Sequence, residues 1–211
     1  GREPDALALV PRDRPGRSGA TGVPLYGRDA RGRFVLARDA DGDVWQPHWP
    51  VMFVSWPMAC AYAAEIARRT RLPWRLPGEI EWEKAARGVD GRHFPFGDFC
   101  DPTWCCIGES HAGRPLPPDR DAYPDDVGPY GVRDLAGNAL DWTADAFERR
   151  RPELDGGVAR GVAGAADAAR VVRGGSFGSS PGRARSAERT YALPDYRAAG
   201  LSFRLTRSWP A

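Results

Sequence analysis

Lysine and asparagine are almost missing from this chain: Lys84 and Asn138 are the single examples among 211 residues, and 29 of the 30 basic side chains are arginine. A GC-rich genome or a hot growth environment that depletes thermolabile residues accounts for this without invoking function. There is no block of like charge either. Thirty basic against 28 acidic residues leave a net charge of +2 and a pI near 8.5. A dedicated nucleic-acid binder is expected to exceed a pI of about 9 and to cluster its charge on one face, so that class is set aside. No apolar run approaches the ~20 residues of a membrane span, and no signal-peptide pattern opens the chain. The first residue is Gly1 rather than Met. It is read as a trimmed start, with any leader or preceding domain outside the sequence. P-loop and His-Glu-x-x-His patterns are absent, so nothing suggests phosphoryl transfer or zinc-peptidase hydrolysis. No fixed-period repeat is present.

Cysteine is sparse: Cys60, Cys100, Cys105 and Cys106. Adjacent Cys105 and Cys106 do not make a disulfide framework in a chain this long, nor paired zinc knuckles. Cys100 with Cys105 or Cys106 is a possible local bridge, but free, mostly buried thiols in a reducing cytoplasm are the expectation. Surface display is the alternative if a leader precedes Gly1.

What the chain does have is 25 glycines, 20 prolines and eight tryptophans, with 42% hydrophobic residues. It is loop-rich, yet apolar enough to fold. Residues 1–44 read as an extended arm plus a hairpin, with a strand at Arg31–Arg38. The turn Asp39-Ala-Asp-Gly-Asp43 follows; it lacks the far Glu and flanking helices of an EF-hand calcium loop. Pro50–Ser55 reads as a buried strand. Helical spacing of Met58, Tyr62 and Ile66 with Ala59, Ala63 and Ala67 predicts a helix over 56–71, with Ser55 as N-cap and Pro57 in the first turn. A second helix is predicted from Pro77 to Arg87, stopped by Gly88, with Glu79 and Glu81 suited to its N-terminal dipole. Residues 89–130 show no regular period. Short strands are expected at Ala139–Ala144, Arg170–Arg173 and Leu201–Thr206, and 149–168 reads as a surface insertion. Strands and two helices without βαβ alternation predict an α+β fold.

Six ordered segments carry a resemblance. They are Pro50-Val-Met-Phe-Val-Ser-Trp56, Arg75-Leu-Pro-Gly-Glu-Ile-Glu-Trp-Glu-Lys-Ala-Ala-Arg-Gly88, Phe94-Pro-Phe-Gly-Asp98, Tyr130-Gly-Val-Arg-Asp-Leu-Ala-Gly-Asn-Ala-Leu-Asp-Trp142, Arg173-Gly-Gly-Ser-Phe177 and Ser202-Phe-Arg204. Together, over 45–207, they resemble the formylglycine-generating-enzyme (sulfatase-modifying-factor) domain family. The resemblance implies a C-type-lectin-like α+β fold for 45–211, with two helices, short antiparallel strands and much irregular structure. The family includes copper oxidases whose active site needs a cysteine pair between the Arg-Gly-Gly-Ser motif and the terminal Phe-Arg. Phe177–Leu205 contains no cysteine, so neither copper nor this oxidase activity is expected. An iron-dependent sulfur-transfer branch draws its iron from histidines of a preceding domain; His48, His93 and His111 are the only ones here, and iron is not expected either. The resemblance further implies a structural calcium site at the Gly-Asn turn, with carboxylates from Asp134 and Asp141 and carbonyls from Gly137 and Ala139. Asp141 stands where many relatives have the longer Glu. A second calcium loop would fall within 105–126, where no residues transfer. The plain alternative for Asp134 and Asp141 is turn capping.

Trp56, Trp82 and Trp142 are expected as core anchors whose N–H needs a partner. Arg173 and Arg204 are expected to hold loop carbonyls and carboxylates. In the last segment, Arg185-Ser-Ala187, Arg189, Pro194-Asp195, Arg197 and Phe203-Arg204 look like a frame. Between them lie Gly178, Ser179, Ser180, Gly182, Thr190, Tyr191, Ala192, Leu193, Tyr196, Ala198 and Ala199. This is similar to the variable region of diversity-generating retroelement proteins, which use the same lectin-like fold and diversify side chains by mutating template adenines. Tyr among Ser, Gly and Ala has the physics of a paratope: Tyr gives contact area, small residues adapt. The sequence therefore predicts a non-catalytic binding protein with a variable region at 171–207 and a protein or cell-surface ligand. The alternative is a fixed sensor module of a signalling protein such as a serine/threonine kinase.

Overall fold

The computed structural model describes residues 11–12, 22, 24–39, 42–119, 121–149, 154–155, 158–159 and 161–208, the two pairs between 154 and 159 by backbone alone. Most of the expected arm over 1–30 and much of the expected insertion over 149–168 lie outside these residues. Where the arm is described, the Leu25 amide donates to the Pro11 carbonyl (3.0 Å), and Leu25 is buried against Trp45, Met52, Phe53 and Ala139.

Strands β1 (Tyr26–Arg28) and β2 (Phe34–Leu36) form an antiparallel hairpin. The expected strand over 31–38 is thus half turn. Asp29 Oδ1 accepts the amides of Arg31 and Arg33, each at 2.9 Å, and this side-chain substitute for ladder bonds curls Arg31–Arg33 out of the sheet. The acidic loop after β2 closes as a hairpin turn. Asp39 accepts the Asp43 amide (2.8 Å) and the Trp45 indole N–H (2.9 Å); Ala40 and Asp41 lie outside the described residues.

Met52–Ser55 is buried, Val51 is exposed, and Pro50–Ser55 is not a strand. Phe53 has φ 57°, the left-handed region, which breaks the pleat. Tertiary bonds replace the ladder: the Phe53 amide donates to the Ala198 carbonyl (3.2 Å), and the Trp142 indole to the Val54 carbonyl (2.8 Å).

Helix α1 spans Trp56–Thr70. Ser55 sits at its N-cap position without a capping side-chain bond, Pro57 lies in the first turn, and Arg71 (φ 58°) ends it. Ala59 and Ala63 are its buried face. Helix α2 spans Glu79–Arg87; the Glu81 carboxylate reaches back to the Gly78 amide (2.8 Å), and Gly88 (φ 67°) stops it. Between them runs β3 (Trp74–Arg75).

The central sheet has the order β8 (Thr190–Ala192), β7 (Arg170–Arg173), β4 (Leu140–Ala146), β9 (Leu201–Phe203). β4–β7 and β7–β8 are antiparallel, with a bulge in β4 between Trp142 and Ala146. β4–β9 is parallel, pairing Leu140 with Leu201 and Trp142 with Phe203; the sheet is mixed where short antiparallel strands were expected. A peripheral hairpin joins β5 (Leu154–Asp155) to β6 (Val158–Ala159), and β10 (Thr206–Arg207) pairs β3. The main core lies between sheet and α1, built on Val54, Ala59, Leu76, Trp142, Val172 and Leu201, while α2 packs against β4 and β7.

The stretch 89–130 has little regular structure, as expected, and neither has 131–139; close backbone contacts order it. Cys106 bridges Gly137. At Gly137 (φ 93°) an added Cβ would lie 2.1 Å from the Cys106 carbonyl oxygen. Only glycine permits that approach.

Candidate functional site

The C-terminal segment is anchored at intervals by buried charge. Arg173, 0% exposed, donates to Glu79 Oε1 (3.2 Å), Glu83 Oε2 (2.6 Å) and the Ser186 carbonyl (2.8 Å). Arg189 grips the same Glu79 with Nε and with Nη2 (2.8 Å), and its Nη1 reaches the Glu148 carbonyl (3.1 Å). Arg204 donates to Asp141 Oδ2 (2.5 Å) and to the carbonyls of Asp134 (2.7 Å) and Arg133 (3.1 Å). The three tryptophans find indole partners too: Trp56 at the Thr143 carbonyl (2.9 Å), Trp82 at Asp141 Oδ2 (2.8 Å) and Trp142 at Val54. These are the structural roles expected of them.

Of the eleven positions singled out in the sequence between the anchors, none is fully buried: six are exposed, and Ser179, Thr190, Ala192, Ala198 and Ala199 are half-buried. Thr190, Tyr191, Ala192, Leu193, Tyr196, Ala198 and Ala199 line one concave site of about 920 Å³, whose floor includes Leu140, Val172 and Leu201 from the sheet. Tyr191, Leu193 and Tyr196 are 58%, 59% and 54% exposed. Arg12, Asp195 and Arg197 supply the charge at this site. The other four positions lie outside it. Ser179 lines a neighbouring site of about 220 Å³ beside Gly174 and Gly175. Gly178, Ser180 and Gly182 are exposed and line neither. Local rules explain the split. On β8, alternate side chains face opposite ways, so Thr190 and Ala192 are half-buried while Tyr191 projects outward. A turn then closes through the Tyr196 amide on the Leu193 carbonyl (2.9 Å) and presents Leu193 and Tyr196 together.

Sequence reasoning missed Phe147. Its ring lies 4.4 Å, centroid to centroid, from Tyr191 and is tilted by 32°, and the Arg189 guanidinium lies 5.3 Å from the same ring. The single hint was an aromatic residue just past the end of a predicted strand.

At the Gly-Asn turn, Asp134 and Asn138 take left-handed φ of 56° and 57°. The Asn138 amide donates to the Cys106 carbonyl (2.7 Å) and its carbonyl accepts from Phe177 (2.9 Å). The buried Asn138 Oδ1 has no donor. Burial raises the Asp134 carboxyl above its ordinary range, against the pull of Arg204. For a calcium ion the fit is divided. An orphaned buried oxygen and two carboxylates favour a hard cation, but Asp141 Oδ2 already carries Trp82 and Arg204. Among the described residues no group of three or more His, Cys, Asp or Glu side chains is placed to hold a metal.

All four cysteines are free thiols, with Cys105 and Cys106 buried. Burial raises all four, Cys106 to about 12, the reverse of what a thiolate nucleophile needs. No described helix is long and apolar enough to cross a membrane.

The mixed sheet, the two helices, the buried Arg173 clamp and the Gly-Asn turn define a formylglycine-generating-enzyme-like domain on a C-type-lectin-like fold. The chain belongs to the sulfatase-modifying factor enzyme 1-like domain family, whose model matches residues 34–209. Among relatives, the formylglycine-generating enzyme of Streptomyces coelicolor is 33% identical over 180 residues, 75% of this chain and 52% of that protein. The inactive C-alpha-formylglycine-generating enzyme 2 of Bos taurus is 30% identical, over 74% of this chain and 49% of its own. Serine/threonine-protein kinase pkn1 of Chlamydia pneumoniae is 32% identical, over 66% of this chain and 21% of the kinase. The chain thus spans about half the length of the first two relatives. Among solved structures, PvdO from Pseudomonas aeruginosa matches with a TM-score of 0.69 (23% identity, 87% of this chain and 71% of that one). Treponema denticola variable protein 1 matches at 0.60 (23% identity, 76% and 72%). At these identities the structural likeness speaks for the fold alone.

Proposed function

We propose that this chain is a non-catalytic ligand-binding domain, the variable protein of a diversity-generating retroelement, with its diversified face on residues 177–199. One observation carries the reading: none of the eleven positions between the frame residues is buried, and seven of them converge on a single open, mostly apolar concavity. Of the frame residues, Ser186 and Pro194 are buried and Arg189 and Arg204 are tied to the buried carboxylates of Glu79 and Asp141. Tyr191, Tyr196 and Leu193 give the contact area, and the small residues around them adapt. The absence of any cysteine from Phe177–Leu205 and the raised thiols elsewhere support a non-catalytic role, and a relative is itself named inactive. The near-neutral charge favours a protein or cell-surface ligand over nucleic acid. The compartment is the cytoplasm by default, or the cell surface if a leader precedes Gly1.

The decisive experiment is to sequence the DNA flanking the gene. A near-copy of the codons for 171–207, differing at template adenines and lying beside a reverse transcriptase, is the expected result. A kinase or other signalling domain encoded in the same frame, without such a copy, overturns it for the second reading, a fixed sensor module, which the likeness to pkn1 favours. Copper or iron in the purified protein, with oxidation of a cysteine peptide, overturns both.

Calcium belongs to the proposal in a restricted form. The ion would be held by Asp134, Asp141 Oδ1 and the carbonyls of Gly137 and Ala139, with Arg204 remaining on Asp141 Oδ2. Calcium titration is expected to raise the melting temperature of the native protein but not of Asp134→Asn. No shift in either overturns the calcium site.

A further inference from the structure

The segment that reaches the Gly-Asn turn carries three thiols, and the fold sorts them. Cys100 Sγ lies 3.9 Å from Cys105 Sγ. Cys106, the next residue, turns instead toward His111, with Sγ 3.5 Å from Nε2. Sequence alone left Cys105 and Cys106 as equal partners for Cys100; the geometry separates them. The 100–105 loop is already closed before any covalent bond forms. The Trp104 amide donates to the Asp101 carbonyl (3.0 Å), and Asp101 Oδ1 accepts the amide (2.9 Å) and hydroxyl (2.7 Å) of Thr103. Cys105 is fully buried with Phe94, Ile107, Ala136 and Ala184, and Cys100, half-buried, packs at the edge of that cluster.

We propose that Cys100 and Cys105 are a vicinal dithiol that closes to an intramolecular disulfide under small-molecule disulfide oxidants such as oxidised glutathione. An Sγ–Sγ separation of 3.9 Å must shorten to about 2.05 Å, a shift of side-chain torsions in a loop whose backbone is already folded back. The order of events follows from exposure. The half-buried Cys100 loses its proton and attacks one sulfur of the oxidant, releasing one glutathione thiolate and leaving a mixed disulfide. Cys105 then loses its proton and attacks the Cys100 sulfur, breaking the mixed disulfide and releasing the second glutathione. Two protein thiols are oxidised, one oxidant disulfide is reduced to two thiols, and the two protons end on the glutathione produced. Burial raises both thiols, Cys105 the further, so the reaction is slow at neutral pH and accelerates as pH rises.

The consequence reaches the proposed ligand segment. Cys105 is followed by Cys106, whose carbonyl takes the Asn138 amide, and two residues later the Gly108 amide donates to the Ser179 carbonyl (2.9 Å). Closing the disulfide fixes Cys105, directly before the residues that make both contacts.

The test is native protein, first fully reduced, then incubated with excess oxidised glutathione, digested and mapped by mass. The expected product is a peptide linking Cys100 to Cys105, lighter by two hydrogens, without retained glutathione, and with slower exchange of the Asn138 and Gly108 amides. Cys105→Ser is expected to keep one glutathione on Cys100, and Cys100→Ser to leave Cys105 reduced. A stable adduct on Cys100 of the native protein, a link to Cys60 or Cys106, or a fully reduced native protein beside an unfolded sample that oxidises each overturns the proposal. The native measurement stands even if a variant fails to fold.

Discussion

Two surfaces of the C-terminal segment alternate along one stretch of chain and obey opposite physics. At Arg173, Ser186, Arg189 and Arg204 the segment is tied by charge and backbone bonds to α2 and β4. At Tyr191, Leu193 and Tyr196, a few residues away, large side chains stand in solvent with little to hold them but Phe147. An arginine with 0% exposure beside two carboxylates is costly to desolvate and tolerates no loss of a partner. An exposed tyrosine over an open concavity tolerates almost any replacement. On the proposed reading, stability and recognition fall to different residues of the same segment, so the second could vary without touching the first.

The strongest way to break that comparison is at its rigid pole. Arg173→Ala takes one cation from Glu79 and one from Glu83, which keeps Arg87 (3.0 Å), and removes the donor to the Ser186 carbonyl. Such a broken buried pair costs about 3–5 kcal/mol. Arg189 still holds Glu79, so the lower half of that range is expected, read by denaturant titration. A loss below about 1 kcal/mol would mean that the clamp is not what anchors the segment.

A smaller effect sharpens the same pole through pH. Asp126, 1% exposed, accepts the amides of Leu135 (3.3 Å) and Ala136 (3.0 Å). Burial lifts its carboxyl from 3.8 to about 7, and those two amides only partly oppose the lift. Between those values the folded state keeps a proton that the unfolded state releases. Asp126 therefore supports stability fully below about pH 4, and that support is lost as pH rises through 7. Burial shifts Asp134 and Asp145 the same way. The melting temperature is expected to fall from pH 5 to pH 8. Asp126→Asn should flatten that slope without abolishing it; an unchanged slope would place the titration elsewhere.

Much of this rigid pole was legible in the sequence, because its signals are local. Helical spacing placed α1, Pro77 and Gly88 bracketed α2, and the tryptophans and arginines of the six motifs were anchors as their chemistry required. What was not legible depends on contacts distant in sequence. Pro50–Ser55 has the composition of a strand, but Phe53 turns left-handed to meet Ala198 and to free the Val54 carbonyl for Trp142. Arg31–Arg33 left their strand because Asp29 captured their amides. The parallel pairing of β9 with β4 has no sequence signature at all, and neither does the stacking of Phe147 on Tyr191. Of the candidate face, the eleven positions were named from a resemblance to the variable region of diversity-generating retroelement proteins. Gly178, Ser180 and Gly182 stand apart from the concavity, at or just before the single helical turn Pro181–Ala184.

The smallest expected change in stability tests the variable pole. Replacing Tyr191, Leu193 and Tyr196 together by Ala removes three exposed side chains, each worth no more than about 0.5 kcal/mol at the surface. Tyr191 carries a little more through its contact with Phe147, of the order of 0.5–1.5 kcal/mol for an aromatic pair. The melting temperature is therefore expected to move by a few degrees at most, while capture of a partner from cells carrying the retroelement's targets is lost. The Phe147→Ala single variant separates the two contributions. If Phe147 serves mainly to orient Tyr191, the variant keeps its fold but weakens binding, and adding Tyr191→Ala weakens it little further, because coupled residues do not add. A triple variant that unfolds would turn these three side chains into core residues and erase the distinction between the two poles.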